Sequence, residues 1–191
     1  MKWVSGIGLA LTIICTLGSC NNQPQKLRGL IIQDRTGRPV PLADIQKFKA
    51  NIFVFFSPEC PLSENYSLTY NTIFEEFQDD LTNFYLVFPG TFYTTLEIDS
   101  FCQRFEPAMT VLLDTGYALT HALGATITPE AFVVDGDGIT RYSGKIDNWA
   151  FSLGKQRRKA SEHYLKDAIH ALLENKEVVN KKTKAVGCLI E

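Results

Sequence analysis

Residues 51–64 have the sequence NIFVFFSPECPLSE, and this stretch decides the fold of the chain. It opens with the apolar run Ile52–Phe56, which is rich in β-branched and aromatic residues. A short run of this kind, bounded by turn residues, is typical of a strand buried on both faces. Proline is favoured in the first turn of a helix, so Pro61 predicts a helix start. Cys60 would then lie at the N-terminus of a helix that leaves a central strand.

A cysteine in that position is expected to be reactive. The free backbone N–H groups and the dipole of the helix stabilise a thiolate, which lowers the pKa of the thiol. We therefore predict that Cys60 is a nucleophile. The alternative is that Cys60 is a small buried apolar residue, which is the usual role of a free cysteine.

Composition indicates one globular domain. The chain has 191 residues, of which 45% are hydrophobic, and a formal net charge of -2. This length suits a single core. The near-neutral charge gives no reason to expect a nucleic-acid partner.

The N-terminus has the features of an export signal. Lys2 is followed by the apolar run Val4–Leu17, which is too short to span a bilayer comfortably. The run ends in Leu17-Gly18-Ser19-Cys20, which resembles the bacterial lipoprotein signal, in which the cysteine becomes the lipidated first residue. We expect a signal peptide over residues 1–19 and a short polar tether over residues 20–27. The alternative is an ordinary signal peptide with a chance cysteine.

Lipidation of Cys20 would place the protein on a membrane of the bacterial cell envelope, because several acyl chains anchor a protein stably. No aspartate follows Cys20, so the inner-membrane retention signal of lipoproteins is missing. This favours the outer membrane. The expected location is therefore lipid-anchored and facing the periplasm.

Export changes the interpretation of the cysteines. Of the five in the sequence, Cys15 would leave with the signal and Cys20 would become the anchor. Cys60, Cys102 and Cys188 would remain in a compartment where disulfides persist. Three is an odd number, so at least one thiol is unpaired or the pairing is transient. We interpret Cys102, on the apolar side of a predicted helix, as core filling.

Apolar periodicity and turn signals predict strands and helices through the rest of the chain. The predicted strands are Leu30–Gln33, Asn83–Phe88, Val111–Asp114, Ala131–Val134 and Ile139–Ser143. The predicted helices, besides the one after Cys60, are Thr94–Phe105, Gly116–Leu123 and Ala160–Asn175. In the helix after Cys60, the residues expected to face the core include Leu68, Ile73, Phe74 and Phe77. In the helix Thr94–Phe105 they are Leu96, Ile98, Phe101 and Phe105. These elements describe one domain over residues 28–175 and a basic tail, Lys176–Glu191, that carries Cys188.

The predicted order, βαβαβ followed by a hairpin and a helix, resembles the thioredoxin fold. This is an α/β fold in which helices flank a mixed central sheet. Thr128-Pro129 precedes the hairpin, where thioredoxin-like proteins carry a cis-proline beside the active cysteine. If Pro129 is cis, the Thr128 backbone would be free to pair with an extended substrate segment. The alternative is a trans-proline that starts a strand.

Four stretches resemble exported members of the alkyl hydroperoxide reductase/thiol-specific antioxidant family. They are CPLSENY at Cys60–Tyr66, LGATITPEAFVVD at Leu123–Asp135, GKIDNWAFSLGKQR at Gly144–Arg157 and TKAVGCLIE at Thr183–Glu191. The resemblance implies a thiol-dependent redox enzyme with no metal or organic cofactor. It implies two kinds of partner: a thiol/disulfide protein or a hydroperoxide as substrate, and an external thiol as reductant.

The motif around the reactive cysteine holds a single thiol. A thioredoxin-type enzyme needs a second cysteine, separated from the first by two residues, with which it resolves the mixed disulfide. Here a serine, Ser63, occupies the second cysteine's position, and its hydroxyl can hydrogen-bond a thiolate but cannot resolve a disulfide. The resolving thiol must therefore be external or lie elsewhere in the chain. Cys188 is the first candidate, if the tail docks near Cys60.

Peroxidase activity is the first alternative. The peroxiredoxin signature has a Thr or Ser three residues before the reactive cysteine, which Ser57 satisfies, and a Pro seven residues before it, where this chain has Phe53. An arginine near the thiolate is also required, and Arg104 and Arg141 are the candidates. Peroxide would oxidise Cys60 to a sulfenic acid.

The second alternative is a peptide-binding module without turnover. A cleft beside Pro129, with Trp149 near its rim, could hold a peptide. A copper site is a weaker hypothesis, since Cys60 has no second cysteine nearby in the sequence and copper sites of this kind use soft ligands.

Overall fold

The computed structural model describes residues 23–191. Within this range the strands are β1 (Ile31–Asp34), β2 (Pro39–Pro41), β3 (Ala50–Phe55), β4 (Thr82–Pro89), β5 (Thr110–Asp114), β6 (Ile127–Thr128), β7 (Glu130–Asp135), β8 (Thr140–Gly144), β9 (Ala150–Ser152), β10 (Lys155–Gln156) and β11 (Cys188–Leu189). The helices are α1 (Gln23–Arg28), α2 (Pro61–Phe77), α3 (Thr95–Phe105), α4 (Ala118–Leu123) and α5 (Tyr164–Leu173), with a 3-10 helix at Leu42–Lys47.

A mixed sheet of seven strands forms the centre, in the order β2-β1-β5-β4-β3-β7-β8. The inner strand β3 runs parallel to β4 and antiparallel to β7. The strand β4 is also parallel to β5, as expected where helices connect successive strands. This arrangement confirms the predicted α/β class, with a mixed central sheet flanked by helices.

The strand β3 is buried on both faces, as its apolar run predicts. Ile52, Val54 and Phe56 pack on the face covered by α2, α3 and α5. Phe53 and Phe55 pack on the other face, against α1, α4 and the 3-10 helix. Each buried side chain of this size contributes about 1.5–3 kcal/mol of hydrophobic stabilisation. The segment that follows β3 therefore begins at the end of a strand that is buried along its whole length.

Two residues predicted to face the core point to solvent instead. Leu68 is 77% exposed and Leu96 is 76% exposed. The core face of α2 is formed in part by Tyr66 and Tyr70, whose buried hydroxyls donate to Asp147 at 2.6 Å and to the Tyr85 carbonyl at 2.9 Å. Because a tyrosine can be buried when its hydroxyl has a partner, the apolar stripe of α2 follows these tyrosines and leaves Leu68 outside.

The last helix is shorter than predicted. It begins at Tyr164 and not at Ala160. The backbone N–H groups of Ser161 and Glu162 donate to the Asn148 side-chain oxygen, at 2.9 and 3.3 Å. These bonds hold the residues before Tyr164 in a loop against Asn148.

Both ends of the described chain pack onto the domain. The helix α1 lies largely within the range predicted as a tether, and Leu27 is fully buried. The tail follows the edge strand β8, where Ser143 N–H donates to the Lys181 carbonyl at 3.0 Å and Thr183 N–H donates to the Ser143 carbonyl at 2.9 Å. The tail is thus a fixed part of the sheet edge.

The predicted signal peptide and the lipidation site Cys20 lie outside the described residues. From residue 23 to the C-terminus, no helix combines the length and apolarity that a membrane crossing requires.

Replacement of Thr183 by valine tests how firmly the tail is held. The Thr183 hydroxyl bonds to the Tyr142 hydroxyl at 2.7 Å and accepts from Lys145 N–H at 2.9 Å. Thr183→Val keeps the shape and removes both bonds, so we expect the free energy of unfolding to fall by about 1 kcal/mol or more. Urea denaturation measures this. The exposed Thr91→Val is the matched control, and equal unfolding energies for the two variants would contradict the described tail contacts.

Candidate active site

Cys60 lies where the sequence predicts it, between the central strand β3 and the helix α2. It is the N-cap residue of α2, and Pro61 occupies the first position of the helix. The Cys60 carbonyl accepts from Glu64 N–H at 3.1 Å, which closes the first turn. The thiol therefore stands at the positive end of a long helix dipole.

Hydrogen-bond donors surround the Cys60 thiol. Burial raises the pKa of Cys60, but the Cys188 thiol, the Ser63 N–H and hydroxyl, and the Cys188 N–H hydrogen-bond its sulfur and bring the pKa below its ordinary value. The thiol donates to the Thr128 carbonyl at 3.0 Å, which favours the neutral form and opposes the other bonds. The donors prevail, so Cys60 is an activated thiol that is only 1% exposed.

Cys188 has the opposite tendency. It lies on β11, which pairs antiparallel with β6 so that Cys188 stands opposite Thr128. Burial, the hydrogen bond to Cys60 and the negative charge of Cys60 raise the pKa of Cys188 to about 11. Two of these three causes depend on Cys60 being a thiolate. Once Cys60 is bonded to another sulfur, they disappear, and Cys188 loses its proton more easily.

A glycine permits the close approach of the tail. A Cβ atom at Gly187 would lie 2.0 Å from the Thr128 carbonyl oxygen and 2.9 Å from the side chain of Ile127. Both distances are too short for any side chain. Gly187 is therefore the residue that lets Cys188 reach Cys60, and the sequence reasoning missed it because a glycine gives no signal until the path of the tail is known.

The predicted supporting residues come together around the thiol. Ser57 N–H donates to the Ser63 hydroxyl at 3.1 Å, and the hydroxyls of Ser57 and Thr128 are 3.1 Å apart. The Thr128-Pro129 peptide bond is cis, which confirms the isomer expected from the sequence. One expectation is wrong: the Thr128 backbone is not free for an extended substrate, because Cys188 pairs with it.

A cleft of about 390 Å³ opens beside Cys60. Its lining includes Glu59, Phe92, Tyr93, Leu189, Ile190 and Glu191. Sequence analysis also missed Tyr93, which lies in the irregular segment after β4. Burial raises the pKa of Tyr93, a hydrogen bond to Ser57 opposes this, and the charges of Glu59 and the two cysteines add to the increase. Its hydroxyl therefore stays protonated close to both thiols.

The other candidate residues do not line the Cys60 cleft. Cys102 is buried among apolar side chains, and burial raises its pKa to about 11, in keeping with a core residue. Arg104 is paired with Glu64, and Arg141 with Asp135 at the end of the sheet opposite to Cys60.

Trp149 is not at the rim of the Cys60 cleft. It packs edge-on against Tyr66, with ring centres 5.5 Å apart, and lines a separate groove along α2. The prediction that Trp149 lies near the rim of the cleft is therefore wrong, because its segment is bonded to Tyr66 of α2 through Asp147 and Ala150.

Comparisons with known proteins agree with the fold described above. The model of the AhpC/TSA family matches residues 25–143. The structure of an uncharacterised conserved protein from Geobacillus kaustophilus is similar, with a TM-score of 0.72 and 19% identity over 85% of this chain and 87% of that chain. No curated protein matches the chain by sequence.

Two functionally described structures share the fold. A secreted Mycobacterium tuberculosis disulfide oxidoreductase homologous to E. coli DsbE has a TM-score of 0.55 and 12% identity, over 79% of this chain and 98% of that chain. The bacterioferritin comigratory protein of Xanthomonas campestris, described as having alkyl peroxide reduction activity, has a TM-score of 0.57 and 16% identity, over 80% and 95%. The thioredoxin-like fold is thus confirmed.

The hydrogen bonds to the Cys60 sulfur predict how two substitutions alter its ionisation. Ser63→Ala and Cys188→Ala each remove a hydrogen-bond donor to the Cys60 sulfur, so the pKa of Cys60 should rise in both variants. A smaller fraction of Cys60 should then be ionised at neutral pH. The pH dependence of Cys60 alkylation, followed by mass spectrometry of its peptide, measures the midpoint. Cys102→Ala is the control. Midpoints that coincide in all four proteins would show that these donors do not activate Cys60.

Proposed function

The chain belongs to the AhpC/TSA family, and on that premise we propose that it is a thiol–disulfide oxidoreductase that cycles Cys60 and Cys188 between dithiol and disulfide. One observation supports this most directly. The Cys60 thiol donates to the Thr128 carbonyl, Cys188 pairs opposite Thr128, and both cysteines line one cleft. Their pKa values are displaced in opposite directions. Such a pair divides the work between a nucleophile and a resolving thiol.

The reaction starts at Cys60. Its thiolate attacks one sulfur of a substrate disulfide, a bond forms between the two sulfurs, and the other half of the substrate leaves as a thiolate that takes up a proton. The mixed disulfide removes the negative charge next to Cys188. Its thiol then loses a proton and attacks the Cys60 sulfur, which releases the second half of the substrate as a thiol.

The product is a Cys60–Cys188 disulfide and a fully reduced substrate. The protein has given up two electrons, and an external thiol protein or small dithiol returns them by attacking the new disulfide. Ser63 supports the first step, because its hydroxyl and N–H stabilise the thiolate. Tyr93, which stays protonated in the cleft, is placed to donate a hydrogen bond to the leaving thiolate, which takes its proton from solvent.

Hydroperoxide reduction is the second candidate. The family, the described activity of the Xanthomonas campestris protein and the position of Ser57 three residues before Cys60 favour it. Cys60 would attack the peroxide, release an alcohol and become a sulfenic acid, which Cys188 would convert to the disulfide with loss of water. Against it, Phe53 replaces the expected proline, and Arg104 and Arg141 are each paired with a carboxylate.

Attachment to a membrane through Cys20 is part of the proposal. Its support is the resemblance of residues 1–20 to a lipoprotein signal. Because α1 begins at Gln23, only Asn21 and Asn22 separate Cys20 from the first described helix. A lipid on Cys20 would therefore hold the domain close to the periplasmic surface of the membrane. Release of the Cys20→Ala protein from the membrane fraction would support the anchor.

Substitution of each cysteine tests the assigned roles. We expect Cys60→Ser to lose disulfide reductase activity by about a thousandfold or more, because it removes the nucleophile. Cys188→Ser should react once and accumulate the Cys60 mixed disulfide, which mass spectrometry detects. Cys102→Ser, buried in the core, is the control and should keep full activity. Rapid multiple turnover by Cys188→Ser with a monothiol reductant would show that Cys188 is not the resolving thiol.

The two candidate reactions are separated by the oxidant. The rate at which each oxidant consumes the Cys60 thiol is divided by the rate at which it consumes a free small thiol. At equal concentrations, a disulfide should then oxidise Cys60 faster than an alkyl hydroperoxide. The reverse order, with a sulfenic acid trapped on Cys60 in Cys188→Ser, would make the chain a peroxidase.

A further inference from the structure

The strand edge beside Cys60 is already occupied by the chain itself. In β11, Cys188 stands opposite Thr128 and Leu189 opposite Ile127. Beyond β11, the Ile190 N–H donates to the Thr126 carbonyl at 3.0 Å, which extends the pairing by one residue. An extended peptide that added to this edge would need the same backbone groups. The tail therefore stands in the place of such a peptide.

Contacts on both sides of β11 hold the tail in that place. Before it, Thr183 is bonded to Tyr142 and Lys145, and Gly187 lies directly against the Thr128 carbonyl. After it, the Tyr117 hydroxyl donates to the Glu191 carbonyl. A protein substrate must break several of these bonds before it can pair with β6, and the cost of doing so adds to its barrier.

A small molecule can enter the cleft that Cys60 lines without breaking the backbone bonds between the tail and β6. The cleft beside Cys60 has a volume of about 390 Å³, which is within the range of small-ligand sites. Part of its wall is made by the tail itself, through Leu189 and Ile190, with Phe92 opposite. The docked tail thus closes the strand edge and at the same time builds an apolar entrance to the thiol.

The charged groups in the cleft are acidic. Glu59 and Glu191 are both among its lining residues, which include no basic side chain. Like charges placed together are unfavourable, so an anionic substrate is repelled where an uncharged one is not. The apolar wall further favours a substrate with apolar substituents.

We propose that the substrate of this site is a small uncharged disulfide, and that the docked tail excludes protein disulfides from Cys60. The proposal rests on the proposed function, in which Cys60 attacks a disulfide. Each turnover cleaves one small disulfide into two thiols, oxidises Cys60 and Cys188 to a disulfide, and is completed by an external dithiol that supplies two electrons.

The test measures the first step on the full chain, reduced beforehand. Loss of the Cys60 thiol is followed by quenched alkylation with bis(2-hydroxyethyl) disulfide, which is uncharged, with dithiodiglycolate, which is small and anionic, and with insulin, which is a protein disulfide. Each rate is divided by the rate of the same oxidant with free N-acetylcysteine methyl ester, an uncharged thiol that none of the three oxidants releases. We expect the uncharged small disulfide to be preferred over each of the others by about tenfold or more.

Displacement of the tail supplies the matched comparison. In Gly187→Ala the new Cβ collides with the Thr128 carbonyl, so the edge of β6 should open and the insulin rate should rise about tenfold relative to the small uncharged disulfide. The ratio cancels any change in the reactivity of Cys60. Gly116→Ala is the control, because nothing lies within 4 Å of its Cβ. Tyr117→Phe is a milder second variant and should move the ratio in the same direction.

The outcomes separate the two proposals. The proposed substrate class is overturned if insulin oxidises Cys60 of the full chain at the same normalised rate as the small uncharged disulfide. It is also overturned if the ratio of these two rates is unchanged in both Gly187→Ala and Tyr117→Phe. Either outcome leaves the proposed disulfide exchange standing. Failure of all three disulfides to oxidise Cys60 faster than free N-acetylcysteine methyl ester overturns the proposed function as well.

Discussion

The pairing of two short strands, β11 with β6, is the contact on which the rest of the site depends. It spans only the residues opposite Thr128 and Ile127, yet it brings Cys188 against Cys60 and supplies two of the hydrogen bonds that lower the pKa of Cys60. The same contact raises the pKa of Cys188. A single backbone pairing thus brings the nucleophile and its partner thiol together and shifts their pKa values in opposite directions.

The core keeps this short contact in register. The strand β3 is buried on both faces and delivers Cys60 to the start of α2, while the tail is fastened to the edge of β8 before it reaches β6. Neither part could hold two thiols together alone, because a two-residue strand has little stability of its own. The hydrogen bonds of Thr183 and the fit of Gly187 complete the path.

Local sequence was enough to predict one half of the site. The buried strand, the Pro61 helix start and the position of Cys60 follow from short-range rules, and the isomer of Pro129 followed from a resemblance. The other half depends on where distant segments meet. The path of the tail and the position of Tyr93 in an irregular loop carry no periodic signal, so neither could be derived. Leu68 was misplaced because two hydrogen-bonded tyrosines take the core side of its helix.

The most direct test of the central claim is peptide mapping of the full chain after mild oxidation, without reduction before digestion. The account predicts one linked peptide pair that joins Cys60 to Cys188, with Cys102 still alkylated as a free thiol. A fully oxidised Cys60 beside a Cys188 that remains free, or a disulfide that joins Cys60 to Cys102, would contradict it.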